Sequence, residues 1–426
     1  MSLAWISLAA LIIAITLSMV SQVNVGVVSL VFAWIVGVYL GGIPLNQVIA
    51  TFPVQLLLTL VGVTLLFGMA NVNGTLGRIA SRAVLLCRGN AGAIPIMFFF
   101  ISLGLSTIGP GNISTTAILA PMAMAVGARA AVPPFLMALM VGNGAQAGAL
   151  SPFAPTGVIV NGIMDKIGLA GHQWQTYLNN FGAHAVVTFA AYFMFGGLKL
   201  FTAQSTPQMS QGDQAGVRAD RAAVDVEPFE PVHWITIGVL AALISGVVAP
   251  QLQLPVGMAA LTGAALLSLF GAGNEKEAIK RMPWGVILMV CGVTVLIGVL
   301  EKTQGMTLFS DLLAKISTPA TVTFMIALVT GAVSVYSSTS GVVLPAFLPT
   351  VPGLAAQLGA NPLAIASSMY VGGHLVDLSP LSTIGALCIA ALPHDADAKK
   401  LFNQLLAWGL SMMLVGAIIC WILFRG

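Results

Sequence analysis

Four short segments of this 426-residue chain place Gly, Pro, Ser, Thr and Asn inside otherwise apolar sequence. Segments 106–116 and 334–341 are expected to form turns, and segments 143–157 and 372–385 are expected to interrupt helices. A broken helix exposes N–H groups at one end and C=O groups at the other, and both need partners inside a membrane. The N–H ends favour a carboxylate, whereas C=O groups and hydroxyls favour a hard cation such as sodium. These segments therefore predict a joint site for an anion and a cation.

The candidate site residues fall into two groups, and neither group is catalytic. The residues expected to bind the substrate are Gly111, Asn112, Ser114, Pro152, Thr156, Ser338, Thr339, Ser340, Pro380 and Thr383. The residues expected to bind the coupling cation, either sodium or a proton, are Ser106, Gly109, Asn143, Ser151, Ser334, Ser337, His374, Asp377 and Ser379. No resident cofactor is expected, because the sequence shows no cluster with metal-ligand spacing and no nucleophile paired with a base.

One acidic residue stands out among the 13 in the chain. Asp377 is the only one that falls within a predicted membrane segment close to a break, and His374 precedes it by one helical turn on the same face. An acidic residue inside a membrane is a candidate functional residue. The pair therefore predicts a cation or proton site, although the same two side chains could simply hold the broken helix in place. Apart from Arg129 at one exit, these regions contain no Lys or Arg, so helix dipoles, hydroxyls and amides would have to hold an anion.

The composition indicates a membrane protein. Hydrophobic residues make up 58% of the chain, charged residues make up 7%, and the mean hydropathy is +0.98. Soluble domains carry roughly 25% charged residues, so lipid must cover much of this surface. The four cysteines lie in apolar stretches and are interpreted as small buried hydrophobic residues. The apolar segment Met1 to Val20 has no preceding basic residue, which favours a first membrane span over a removed signal peptide.

An all-α membrane protein follows from the apolar segments, since a helix needs about 20 apolar residues to span the hydrocarbon. Two apolar regions, 92–127 and 319–352, are predicted to be re-entrant hairpins. Segments 74–89 and 305–317 are predicted to be amphipathic helices along the membrane surface. The predicted full spans, two of them interrupted, are 4–22, 25–43, 53–71, 132–164, 181–200, 232–249, 256–272, 283–301, 362–393 and 401–424.

The basic residues predict the orientation. With the N-terminus outside and both hairpins re-entrant, Lys166, Lys302, Lys315 and Arg425 lie outside, and the remaining Lys and Arg of the total of 16 lie in the cytoplasm. This bias follows the positive-inside rule. It predicts a bacterial inner-membrane protein with both termini in the periplasm and with the polar segment 201–230 as a cytoplasmic linker.

The two halves of the chain, 1–200 and 231–426, match when they are shifted by 228 to 230 positions. Gly62–Gly68 matches Gly292–Gly298, and the Leu-Ser-Pro sequence ending at Pro152 matches the one ending at Pro380. Each half contains five predicted spans and one hairpin, so the odd number of crossings inverts the second copy. Inverted repeats with interrupted helices at matching positions are typical of secondary transporters.

These turns and breaks resemble those of the ion-transporter superfamily, especially the divalent anion:sodium symporters and the malonate carriers. The first tip, Gly111 to Thr115, has the Asn of the symporters' Ser-Asn-Thr motif with Ser and Thr displaced, and the second tip, Ser337 to Ser340, lacks the Asn. The segment Leu150 to Gly157 is most similar to the malonate-carrier branch. The resemblance implies a homodimer in which a hairpin-bearing domain slides against a fixed scaffold, as in an elevator mechanism.

The sequence thus favours a cation-coupled transporter of small carboxylates, with malonate or a C4-dicarboxylate preferred. Two alternatives remain open on the same fold. One is a cation/proton antiporter or inorganic-oxyanion transporter centred on His374 and Asp377. The other is the membrane subunit of a carboxylate transporter that receives its substrate from a periplasmic binding protein. An enzyme is not expected.

Overall fold

The computed structural model describes residues 2–21, 23–85, 90–202, 227–248, 254–393 and 396–424. These residues form helices joined by turns and contain no strand, which confirms the predicted all-helical class. Most of the predicted linker 201–230 lies outside the described residues, as does Arg425.

The helices follow the same order in the two halves of the chain. The first half contains α1 (Leu3–Val20), α2 (Val25–Leu40), α3 (Leu45–Ile49), α4 (Val54–Val72), α5 (Thr75–Leu85), α6 (Ala93–Ile108), α7 (Gly111–Arg129), α8 (Pro134–Gly148), α9 (Pro155–Lys166), α10 (Gln173–Met194) and α11 (Gly197–Thr202). The second half contains α12 (Pro231–Val248), α13 (Val256–Leu269), α14 (Glu275–Arg281), α15 (Trp284–Lys302), α16 (Gly305–Lys315), α17 (Val322–Ser334), α18 (Thr339–Leu358), α19 (Pro362–Val376), α20 (Thr383–Ala390) and α21 (Ala398–Leu423).

Five helices within the described residues are long and apolar enough to cross a membrane, namely α4, α7, α15, α18 and α21. Shorter apolar helices accompany them, including α1, α2, α6, α12, α13 and α17. This set of helices establishes a multi-pass membrane protein. The predicted amphipathic segments 74–89 and 305–317 correspond to α5 and α16.

The first predicted turn joins α6 to α7 through Gly109 and Pro110. Gly109 and Gly111 have φ angles of 146° and 75°, which lie in the left-handed region that favours glycine. A Cβ atom at Gly109 would also overlap the ring of Phe67, so α4 packs directly against this turn. The second predicted turn lies between α17 and α18, and the first turn of α18 is π-helical. The chain therefore breaks at both predicted turns.

The predicted interrupted helices appear as α8 followed by α9 and as α19 followed by α20. In each case a glycine close after the break lies against a backbone carbonyl of the break itself. A Cβ atom at Gly157 would overlap the carbonyl oxygen of Ser151, and one at Gly385 would overlap that of Ser379. Pro155 begins α9, where its missing N–H costs no hydrogen bond.

Contacts between the halves bring the four breaks together. α8 packs against α6, α7 and α10, while α19 packs against α17 and α21. The helix that follows each interruption crosses to the other half, since α9 contacts α18 and α20 contacts α7. Each turn of one half is thereby placed beside the interrupted helix of the other.

Two close crossings of glycine residues also join the halves. α4 packs against α13 where Gly62 meets the carbonyl oxygen of Gly257, and α15 packs against α2 where Gly292 meets the carbonyl oxygen of Gly26. Small residues let membrane helices approach closely and gain van der Waals contact. A side chain at either crossing would separate the helices.

Replacement of Gly292 by Val is expected to destabilise the protein by about 1–3 kcal/mol or more, the usual cost of overpacking. The added Cβ atom would overlap Gly26. The melting temperature of the purified variant in detergent measures this effect. Gly238→Val is the matched control, because a Cβ atom at Gly238 of α12 meets no atom within 4 Å. Equal melting temperatures of the two variants would contradict the proposed role of this crossing.

Candidate functional site

A cavity of about 160 Å³ lies where the two turns meet the second interrupted helix. Most of its lining side chains are polar, and within the described residues none of them is Lys, Arg or His. Among the described residues, Asp377 supplies the only charged side chain in the wall. The lining residues are Asn112, Ile113, Tyr336, Ser337, Ser338, Thr339, Ser340, Asp377, Leu381, Ser382, Thr383 and Ile384.

Hydrogen bonds connect all four breaks through one row of buried side chains. Asn112 of the first turn donates from Nδ2 to Oε1 of Gln146 in α8 at 2.7 Å. Gln146 donates from Nε2 to Oδ2 of Asp377, directly after α19, at 3.1 Å. Thr339 of the second turn donates from Oγ1 to the other carboxylate oxygen at 2.7 Å. The row Asn112–Gln146–Asp377–Thr339, here called the polar bridge, thus joins both turns and both interrupted helices.

Helix N-termini converge on the cavity. Its lining includes residues of the first turns of α7, α18 and α20, namely Asn112, Thr339 and Thr383. Thr156 in the first turn of α9 reaches the same place, with its hydroxyl 3.2 Å from that of Ser340. Because the first N–H groups of a helix lack partners within the helix and carry partial positive charge, this convergence favours an anion.

The predicted substrate residues divide between the cavity and the surrounding turns. Asn112, Ser338, Thr339, Ser340 and Thr383 line the cavity. The other predicted residues do not line the cavity. Gly111 lies against Pro155, and Thr156 contacts Ser340. Ser114, Pro152 and Pro380 also lie outside the lining.

Of the residues predicted to bind the cation, Ser337 and Asp377 line the cavity, and Ser334 is hydrogen bonded to Thr339 at 2.8 Å. The side chains of His374 and Asp377 are not hydrogen bonded to each other; the bond between these residues runs from the backbone N–H of Asp377 to the carbonyl oxygen of His374 at 3.1 Å, and the imidazole Nδ1 atom lies 2.8 Å from the carbonyl oxygen of Tyr370. The imidazole and the carboxylate therefore have separate partners.

The other predicted cation residues stabilise the breaks themselves. Ser106 donates to the carbonyl oxygen of Ala145 at 2.7 Å, and Ser151 donates to that of Thr107 at 2.7 Å. Ser379 accepts from the N–H of Leu381 at 3.3 Å. Gly109 packs against Phe67, and Asn143 is hydrogen bonded to His184. These contacts hold the turns in shape.

Sequence reasoning did not select Gln146 as a site residue, although it lies within the predicted break of α8. It also missed Tyr336 and Ser382, which line the cavity. His184 of α10 was missed too; it is fully buried, with Nδ1 3.2 Å from Oδ1 of Asn143. The available signals were the polarity of Gln146 between glycines and a histidine inside a predicted span.

Residues 1–149 match the family model described as the N-terminus of the dicarboxylate carrier protein MatC. Two curated relatives, the uncharacterized transporters Rv2684 of Mycobacterium tuberculosis and Mb2703 of Mycobacterium bovis, are each 22% identical over 346 residues. The alignment with each covers 78% of this chain and 77% of the relative.

Solved structures share the fold. The YdaH transporter of Alcanivorax borkumensis superposes with a TM-score of 0.56 at 16% sequence identity. The superposition covers 88% of this chain and 86% of the YdaH chain. MtrF of Neisseria gonorrhoeae, described as one of a class of antimetabolite efflux pumps, superposes with a TM-score of 0.54 at 14% identity, covering 88% and 82%. The family match and the relatives are transporters, not enzymes. This protein is a multi-pass membrane protein whose residues 1–149 resemble the dicarboxylate carriers.

Proposed function

We propose that the protein is a secondary active transporter of small carboxylates, malonate or a C4-dicarboxylate by preference, coupled to sodium or protons. The observation that carries this proposal is the convergence of helix N-termini on a cavity that no Lys or Arg of the described residues lines. Such a cavity holds an anion through N–H groups, hydroxyls and amides. Its volume of about 160 Å³ is well below the ~300–1,000 Å³ of pockets for drug-sized ligands, which suits a small acid.

Asp377 supports coupling to a cation. A carboxylate about 4 Å from a bound anion would repel it by roughly 4 kcal/mol at an effective dielectric constant of 20. A cation bound at Asp377 would remove this repulsion and attract the substrate. Oxygen ligands for such a cation are available beside Asp377 in the hydroxyl groups of Ser334 and Thr339. Anion and cation would then bind together, which is the requirement for symport.

The inverted repeat belongs to the same proposal. Two observations support it. The helices follow the same order in the two halves, and each of the two glycine crossings joins a helix of one half to a helix of the other. In the crossings, α4 of the first half meets α13 and its counterpart α15 meets α2. The reciprocal contacts of α9 with α18 and of α20 with α7 follow the same pattern. The binding site would lie near the membrane midplane, where the copies meet.

We extend the proposal to the mechanism and setting of transport. The hairpins and interrupted helices would move together as a transport domain against a scaffold that includes α4 and α15, in an elevator mechanism. The functional unit would be a homodimer in the bacterial inner membrane with periplasmic termini. Crosslinking between two introduced cysteines, one in α4 and one in α9, with and without substrate, tests the movement. Crosslinking that is identical under both conditions would contradict it.

Uptake of radiolabelled malonate and succinate into proteoliposomes, with and without a sodium or proton gradient, tests the function. Each hydrogen bond to a charged ligand contributes about 1.5–3 kcal/mol, so the double variant Asn112→Ala, Thr339→Ala should reduce uptake at least tenfold. Asn46→Ala with Thr262→Ala is the matched control, because both of these side chains are exposed. Full uptake by the first variant would remove the two turns from the mechanism.

The isolated acid in the cavity wall favours a second candidate, a cation/proton antiporter centred on Asp377. This activity would exchange sodium for protons without any organic acid. A pH-sensitive dye inside proteoliposomes distinguishes the two candidates. A proton flux driven by sodium alone would support antiport, whereas a flux that requires malonate would support the carboxylate symporter.

A further inference from the structure

Gln146 has a special position in the polar bridge, because its side chain joins the first turn to the acid of the second half. The residue is fully buried at the end of α8. Its backbone carbonyl oxygen accepts a hydrogen bond from Nδ2 of Asn180 in α10 at 2.8 Å. Asn180 thereby holds the backbone of Gln146 in place. Among the described residues, the side-chain amide is hydrogen bonded only to Asn112 and Asp377, both members of the polar bridge.

Chemistry fixes the direction of the hydrogen bonds. Both carboxylate oxygens of Asp377 accept, one from Thr339 and the other from Gln146. An ionised carboxylate accepts only, so Gln146 must present its NH₂ group to Asp377 and its oxygen to Asn112. Asn112 must in turn present its NH₂ group to Gln146, and its own oxygen accepts from the N–H of Ile113 at 3.0 Å.

The direction of these hydrogen bonds affects how Asn112 can bind an anion. Asn112 lies in the first turn of α7 and in the cavity wall, so its NH₂ group is a natural donor to a bound carboxylate. In the observed arrangement one of the two N–H bonds of that group donates to Gln146, which sets the orientation of the amide. While Asp377 holds the NH₂ group of Gln146, Asn112 therefore has only its second N–H bond available to a substrate.

We propose that Gln146 is the positioning residue that couples cation binding at Asp377 to anion binding at Asn112. A cation that binds Oδ2 of Asp377 displaces the NH₂ group of Gln146. The amide of Gln146 then rotates away from Asn112, and the NH₂ group of Asn112 becomes free to donate to the carboxylate substrate. The coupling is positive and reciprocal, as thermodynamic linkage requires. This inference rests on the proposed symport function.

The test measures the affinity of the purified protein for malonate and succinate by calorimetry, in sodium chloride and in choline chloride. The ratio of the two dissociation constants is the coupling factor, which lies at about 5–150 in typical allosteric systems. Gln146→Met keeps the length of the side chain but removes both hydrogen bonds. The amide of Asn112 is then no longer held by Gln146, so we expect the affinity in choline to rise and the coupling factor to fall below that of the wild type. The coupling that remains is the direct attraction between the cation at Asp377 and the anion.

The matched control is Asn179→Met, which removes a half-buried amide bonded to Ser367 and Tyr370 of α19 but leaves the polar bridge intact. Its coupling factor should equal that of the wild type.

The outcomes separate this inference from the function on which it rests. If sodium strengthens malonate binding in the wild type and the Met variant keeps the same coupling factor with weaker binding in both salts, Gln146 is only a structural bridge and the inference is wrong. If the wild type binds neither acid in either salt, the proposed function fails together with the inference. A smaller coupling factor in the Met variant, with stronger binding in choline and an unchanged Asn179 control, supports the proposed role of Gln146.

Discussion

Replacement of Asp377 by Asn is expected to abolish accumulation of malonate against its gradient while leaving exchange of malonate across the membrane intact. Asparagine has almost the same shape as aspartate and can still accept from Thr339 or Gln146. It carries no charge, however, so it loses the attraction for a cation, which is worth roughly 4 kcal/mol at 4 Å and an effective dielectric constant of 20. Without the bound cation, an ion gradient can no longer drive uptake.

Two assays on the same proteoliposomes measure this effect. Uptake driven by a sodium or proton gradient should fall by at least about 100-fold, since 1.4 kcal/mol corresponds to a factor of ten. Counterflow of labelled against unlabelled malonate should stay within about tenfold of the wild type, because a single uncharged hydrogen bond contributes only about 0.5–1.5 kcal/mol. Asp311→Asn is the control, because this carboxylate bonds to Gln357 outside the cavity. Normal accumulation by Asp377→Asn would show that the coupling cation binds elsewhere.

Replacement of Asn112 by Asp is expected to weaken malonate binding by roughly 1,000-fold. The substitution places a negative charge in the first turn of α7, facing the space assigned to the substrate. At 4 Å and an effective dielectric constant of 20 the repulsion between two such charges is about 4 kcal/mol. Since the side chain keeps its size, the effect arises from the added charge and from the loss of the NH₂ donor.

The comparison with Asn112→Leu isolates that charge. Leucine removes the amide without adding a charge, and loss of one hydrogen bond to a charged ligand costs about 1.5–3 kcal/mol, or about 10–150-fold in affinity. Calorimetry with malonate, supported by the melting temperatures of both variants, measures the difference. If the Asp variant binds malonate as well as the Leu variant, no anion lies near Asn112.

Local sequence was sufficient to predict where the chain breaks. Gly109, Gly111 and Pro155 are signals that depend on backbone sterics alone, and they appear inside apolar sequence where a helix would otherwise continue. The short helices α3 and α14 were not predicted, because five and seven residues are too few to show a periodic pattern.

The bounds of α10 show why hydropathy alone can misplace a predicted membrane span. The sequence predicted a span over 181–200, whereas the helix covers Gln173–Met194. Its first turns contain polar residues, including Asn179 and Asn180, which donate to residues of α19 and α8 instead of facing lipid. Hydropathy counts such residues as evidence against a span, although they lie inside the protein.

The hydrogen bonds between residues of the site were harder to predict than the residues themselves. Asp377 was identified from the sequence as the acid near a break, but it was expected to act with His374 on the same helix. In the structure it is bonded to Thr339 and Gln146, which lie 38 and 231 positions away in the chain. Spacing along one helix shows which residues share a face, whereas the choice of partner depends on which other helices approach that face.

The central claim is that a carboxylate binds where the first turns of α7, α18 and α20 meet. A cryo-electron microscopy map of the protein in lipid nanodiscs with saturating malonate and sodium tests it most directly. Density for malonate is expected in the cavity, within hydrogen-bonding distance of Asn112, Thr339 and Thr383. Malonate bound at another place in a preparation that transports it, with this cavity unchanged, would contradict the claim.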